Sequence, residues 1–190
     1  MSLDGDAWRK FFDGFEREAF RFETQPKYTM PNEAASLATF LRGDPKPHDH
    51  NSRWHERVRA YREAGKWIGR VRVVREPLTD YQRYQLAWGI PGNVEAGEDI
   101  RILDLTKTEL GLPTGQDWWM FDEARVVHLN YRSDGTQIDR VRTGVGIPEE
   151  RKRRRRVLHS RHHRTTEPPG RGSRLLVLRQ PDSSGHELFG

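Results

Sequence analysis

The sequence predicts a mixed α/β or α+β fold. N-terminal helices are followed by strand–helix–strand and a C-terminal β-meander, packed as one layered domain over residues 1–148. Residues 149–190 then form an arginine-rich, disordered basic tail. Three observations predict this: apolar residues at helical spacing in the first third, a switch to period two at Trp67, and a break in composition after Pro148. Residues 1–148 carry 22 Lys+Arg against 23 Asp+Glu, and residues 149–190 carry 11 against 5. The surplus behind the net charge of +5 therefore belongs to the tail. All six tryptophans and all five tyrosines lie before it, so the first part can bury a core and the second has the composition of a segment that cannot.

Each element follows from the chain in order. Trp8, Phe11, Phe12, Phe15, Ala19 and Phe22 fall at helical spacing, which predicts one helix from Asp6 to Phe22. Pro31 opens a second, to Leu41, ended by Gly43-Asp44-Pro45. A third runs from Asn51 or Ser52 to Ala64, before Gly65. Trp67–Arg75 alternates and reads as a strand. Thr79, three residues before Gln82, fits a capping box for a fourth helix to about Trp88, broken at Gly89-Ile90-Pro91-Gly92. Asp99–Leu105, Trp118–Phe121, Arg125–Tyr131 and Thr136–Val141 read as strands, with turns at Asp122-Glu123-Ala124 and Ser133-Asp134-Gly135 and a longer loop holding Gly111 and Pro113.

The composition excludes several classes. Zero cysteines remove a disulfide framework, a thiolate metal site and a cysteine nucleophile. No stretch approaches the roughly 20 apolar residues of a spanning helix, so no membrane association is expected. The start MSLDGDAWRK lacks an apolar signal region, which makes the cytoplasm the expected compartment. P-loop, dinucleotide and nucleophile-elbow motifs are missing from the sequence, and no cofactor is expected.

The best polar constellation is Glu76, Thr79, Asp80 and Arg83 with Glu98, Asp99 and Arg101. It reads as a ligand or partner site, beside the plainer reading that Asp80 and Glu98 cap and pair with Arg83 or Arg70. An enzymatic alternative gives Asp80, Glu98 and Asp99 to a phosphodiesterase- or nuclease-like reaction, with Mg²⁺ as the candidate metal. Glu76 and Asp80 follow one strand whereas Glu98 and Asp99 begin another, so parallel pairing would put the two groups at opposite ends. His48, Asp49, His50 and His55 cluster in a Pro-flanked loop without a metal-site spacing. His128 reads as a half-exposed strand residue, and Trp118-Trp119 as a buried strand or a partner surface. Arg151, Lys152, Arg153, Arg154, Arg155 and Arg156 could neutralise nucleic-acid phosphates without sequence preference, and His159, His162 and His163 could weakly hold a metal.

The run RVRVVREPLTDYQRYQLAWGIPGNVEAGEDIRIL (70–103), with FFDGFEREAFRFE and DWWMFDEARVVHLNY, resembles an uncharacterised family of actinobacterial proteins, a domain of unknown function. Its members are often encoded beside helix-turn-helix regulators of the XRE type. The resemblance covers residues 8–141 and implies a non-enzymatic accessory or sensor-like protein, with such a regulator as partner. Gln85 stands where the pattern leads one to expect an acid. The order of elements also looks like phospholipase-D-like sensor half-domains. No histidine here is followed two residues later by lysine, so such a copy would be non-catalytic. After Val141 the resemblance ends, and the Arg, Pro, Gly, His and Ser vocabulary matches a high-GC gene read out of frame.

Overall fold

The aromatic run at the start of the chain divides between two elements. Helix α1 (Gly5–Asp13) carries Trp8, Phe11 and Phe12 and stops at Gly14. Strand β1 (Glu18–Glu23) follows, where the sequence predicts helix as far as Phe22. The spacing changes after Phe15: Phe20 and Phe22 share one face of the strand, and Ala19, Arg21 and Glu23 the other. Phenylalanine fits either period, so the aromatic content concealed the change.

The structure, a computed structural model, describes residues 2–107, 115–143 and 148–158 and two short strands beyond. After β1 come α2 (Ala34–Leu41), α3 (Ser52–Glu63), β2 (Trp67–Val74), α4 (Asp80–Tyr84), α5 (Ile90–Glu95) and β3 (Asp99–Asp104). A meander of β4 (Asp117–Phe121), β5 (Arg125–Tyr131) and β6 (Gln137–Arg142) leads to α6 (Pro148–Leu158), β7 (Arg164–Thr165) and β8 (Leu176–Leu178). The fold is mixed α+β, as the sequence predicts. The loop with Gly111 and Pro113, and His159, His162, His163 and Leu175, lie outside the described residues. Among the described residues no helix is long and apolar enough to cross a membrane.

The sheet runs in the order β6-β5-β4-β1-β2-β3-β8-β7. β1, β2 and β3 are parallel, while β4, β5 and β6 form an antiparallel ribbon joined to β1. One face holds Ala19, Ile68, Trp119, Phe121 and Leu129 against Phe12 of α1 and Val58 of α3, and Ile100 and Ile102 against Ile90 and Val94 of α5. The opposite face holds Phe20, Phe22, Val71, Val73, Trp118 and Met120, packed with Val157 of α6. Trp118 and Trp119 are thus both buried, one on each face. Gly69 is required in β2 because a Cβ there would come within 2.5 Å of the Trp67 ring and 2.9 Å of the Asp99 carbonyl oxygen.

The helix after β2 is longer than the sequence predicts. Thr79 and Gln82 form the expected reciprocal capping box. The chain then passes through Gly89-Ile90-Pro91-Gly92 without stopping, by way of a π-helical segment at Gln85–Gly89. Proline lacks an N–H and its ring crowds the preceding turn. A widened turn just before it relieves both problems, and Pro91 then sits in the first turn of α5.

α6 is the second addition. Its residues fall in the segment that the sequence assigns to the basic tail, and this part of it is helical and docked. Val157 is 1% exposed. Arg154 pairs with Glu18 at 2.6 Å and with Glu123 at 2.5 Å, and lies 5.6 Å from the ring centres of both Phe20 and Trp67.

Candidate functional site

β1 and β2 bring three arginines to the helix-covered face. Arg21 and Arg70 are register partners, and Glu23 is partnered with Arg72. Adjacent like charges repel, and buried charges require partners. Three carboxylates supply them. Glu23 lies 2.8 Å from Arg21 Nε, 3.2 Å from Arg70 Nη1 and 3.4 Å from Arg72 Nη1. Glu98 accepts from Arg70 Nε at 2.6 Å and from Trp54 Nε1 at 2.9 Å. Asp117 accepts from the Thr24 backbone N–H at 2.7 Å, the Thr24 hydroxyl at 2.8 Å and the Tyr28 hydroxyl, with Arg21 Nη2 at 3.7 Å.

The carboxyls of this network differ in character. Burial alone would raise Glu23, but Arg70, Arg21 and Arg72 overcome it and hold the carboxyl down at about 2. Burial raises Asp117 above the usual carboxylate range, against the pull of Arg21 and the Tyr28 hydroxyl. Burial likewise raises Glu33, whose Oε2 accepts from the Tyr81 hydroxyl at 2.6 Å. Tyr81 and Tyr28 are themselves pushed up by burial, so their hydroxyls stay protonated donors.

Above this network opens a cavity of about 560 Å³. Arg21, Arg70 and Arg72 form its floor. Trp8 of α1 and Trp54 of α3 stand on one side, and Tyr81 and Tyr84 of α4 on another. Arg57 and Arg140 also face it. Glu98 and Asp117 do not line it: they are 2% and 0% exposed and stand behind the arginines they hold. Glu23, Glu33 and Asp49 do line it, but six arginines do as well, so guanidinium groups outnumber carboxylates there. Fixed, prepaid donors of this kind suit an anion.

The residues singled out in the sequence do not share one cleft. β2 and β3 pair in parallel with Gly69 opposite Asp99 and Val74 opposite Asp104. Glu98 and Asp99 therefore lie at one end of the sheet, and Glu76 and Asp80 at the other. Asp80 is exposed and bonded to Arg83, whose Nη1 also donates to the Leu78 carbonyl oxygen at 2.8 Å. Thr79 is the helix cap, and Glu76 donates its backbone N–H to Thr106 Oγ1 at 2.8 Å. Asp99 pairs with Arg101 at 3.2 Å, and Arg101 also donates to the Leu158 carbonyl oxygen. Glu98 alone belongs to the arginine network. The carboxylates Asp80, Glu98 and Asp99 do not converge.

The other expected groups fall elsewhere. His48 and Asp49 are exposed, His50 packs on Tyr84 and Trp88, and His55 Nε2 lies 3.1 Å from Asn93 Oδ1. Among the described residues no three His, Asp or Glu side chains are gathered to hold a metal. His128 is half-buried, with Nε2 at 3.3 Å from Glu150. Of the basic run, Arg151 donates to the Glu123 carbonyl oxygen at 2.5 Å and Arg154 is in the docking contact. Lys152, Arg155 and Arg156 are exposed, and Arg153 is half-buried. Gln85, at the position where an acid was expected, donates to the Tyr81 hydroxyl at 3.1 Å and to Glu33 at 3.4 Å.

Arg21 and Arg72 escaped the sequence reading, and Arg70 entered it only as a pairing partner of Asp80 or Glu98, because an alternating strand suggests arginines facing water. The signal was present. Parallel strands joined through helices are covered on both faces, so in RFE (21–23) and RVR (70–72) the charged positions also have to be buried.

Comparison with curated proteins gives no match. A protein-family model, by contrast, matches residues 6–183. That span runs past Val141 and through the arginine-rich segment, which corrects the expectation that the family likeness ends at Val141 and that the C-terminus is foreign to it. The chain therefore belongs to the family described as a domain of unknown function, DUF6879.

Proposed function

We propose that the protein is a binding domain for a small anionic molecule, a sensor-like accessory component and not an enzyme. One observation carries this reading: three arginines held rigid by buried carboxylates face a cavity that two of those carboxylates do not line. Pinned guanidinium groups lose little freedom when they bind an oxyanion, and the size falls within the roughly 300–1,000 Å³ of small-molecule sites. The partner is a helix-turn-helix regulator, a role supported by the sequence resemblance alone. Co-purification of the two at micromolar concentration tests it, and separate migration counts against it.

Thermal melting tests the site itself. At constant ionic strength, inorganic phosphate, pyrophosphate or citrate should raise the melting temperature, since a ligand that binds only the folded state stabilises it. The rise should disappear in Arg72→Met, or in Arg57→Ala should the first variant fail to fold. Equal melting in chloride and in all three anions would overturn the reading.

A further inference from the structure

We infer that the anion taken by this cavity is a nucleoside phosphate, with its phosphate on Arg21, Arg70 and Arg72 and its base at an amide-lined end of the same cavity. The inference rests on the anion-binding reading above and adds the class of ligand.

The amide end holds two side-chain amides and one buried ring nitrogen without a partner among the described residues. Asn93 is 4% exposed and lines the cavity. Its Oδ1 accepts from Asn51 Nδ2 at 2.8 Å and faces His55 Nε2 at 3.1 Å. Its amide nitrogen has no partner among the described residues and is not itself buried, so it is open to a ligand. Beside it, the Asn51 side-chain oxygen is an acceptor that bonds to nothing among the described residues. A donor next to an acceptor is the pattern with which an amide side chain reads the edge of a base. His50 adds a second unsatisfied group, with Nδ1 buried and without a partner among the described residues.

The amide end and the floor belong to one continuous structure. The Glu98 backbone N–H donates to the Asn93 carbonyl oxygen at 3.0 Å, and the Glu98 side chain holds Arg70. Trp54, bonded to the same Glu98, gives the cavity flat apolar surface. Aromatic side chains bind bases through their faces whatever the base. Inorganic phosphate alone would leave most of 560 Å³ unfilled, and a bare sugar phosphate would leave the amide end of the cavity empty.

The test is titration calorimetry at fixed ionic strength, with AMP, GMP, CMP, UMP, ribose 5-phosphate and inorganic phosphate as probes. At least one nucleotide is expected to bind tenfold or more tightly than ribose 5-phosphate. Asn93→Leu, and the milder Asn51→Gly at an exposed position whose φ is 61°, should cancel that gain and leave ribose 5-phosphate affinity within about twofold. Should every nucleotide bind no better than ribose 5-phosphate, the nucleoside inference falls and the anion site stands. No binding by any of the six probes overturns both. A gain that survives in both asparagine variants overturns the placement of the base.

Discussion

Arg21 and Arg70 occupy matching positions on adjacent parallel strands, side by side in a buried layer. Glu23, two residues along β1, reaches both guanidinium groups and offsets their repulsion. Replacing Glu23 by Gln keeps the shape and removes the charge. The expected loss is about 3–5 kcal/mol, the scale for breaking a buried pair from one side, measured by urea unfolding at neutral pH. A loss below 1 kcal/mol would mean that the arginines do not depend on it.

The same residue sets an acid limit. Its carboxyl titrates at about 2 in the folded chain against an ordinary 4.5, so the unfolded chain binds its proton first as pH falls. The stabilisation is complete above about pH 4.5 and is lost between there and about 2; that interval corresponds to about 3 kcal/mol. Asp117 and Glu33, both raised, act in the opposite sense and favour the fold as the pH drops into the carboxylate range. Unfolding free energies between pH 2 and 5 should therefore fall more gently in Glu23→Gln than in the parent.

Thr79 carries the start of the helix after β2. Its Oγ1 accepts from the Gln82 N–H at 3.2 Å and donates to the Pro26 carbonyl oxygen at 2.6 Å. Thr79→Ala should cost about 1–2 kcal/mol in urea unfolding. Anion binding should remain, because Thr79 does not line the cavity.

Docking of α6 is tested by contrast. Val157→Ala should cost about 1–3 kcal/mol, since the side chain is fully buried against the sheet. Lys152→Ala, exposed on the same helix, should stay within about 0.5 kcal/mol. Equal and negligible effects would mean that the helix is not held to the sheet.

Much of the fold was legible. β2, β3 and the meander follow from alternation and turn residues, and Thr79 with Gln82 from the capping pattern. β1 was hidden because phenylalanine suits a helix and a strand alike, and the passage through Pro91 because a π turn leaves no compositional mark. α6 was hidden by charge: a helix held by Arg154 and one valine shows almost no apolar period. The candidate site was legible only in pieces. Arg70 and Glu98 are 28 residues apart in sequence, and their meeting depends on β2 and β3 being parallel. The acids chosen around Asp80 were attractive because they were close in sequence, which parallel pairing undoes.

The alternation along β1 has a mechanical consequence. Phe20 and Phe22 lie beneath α6 while Arg21 and Glu23 belong to the cavity floor. Neighbouring residues of one strand thus touch the two opposite sides of the sheet. A twist of β1 that lets Arg21 follow a bound anion must carry Phe20 and Phe22 with it, beneath Val157 and beside the Arg154 guanidinium. The two faces of the sheet are thus coupled through the alternation of a single strand.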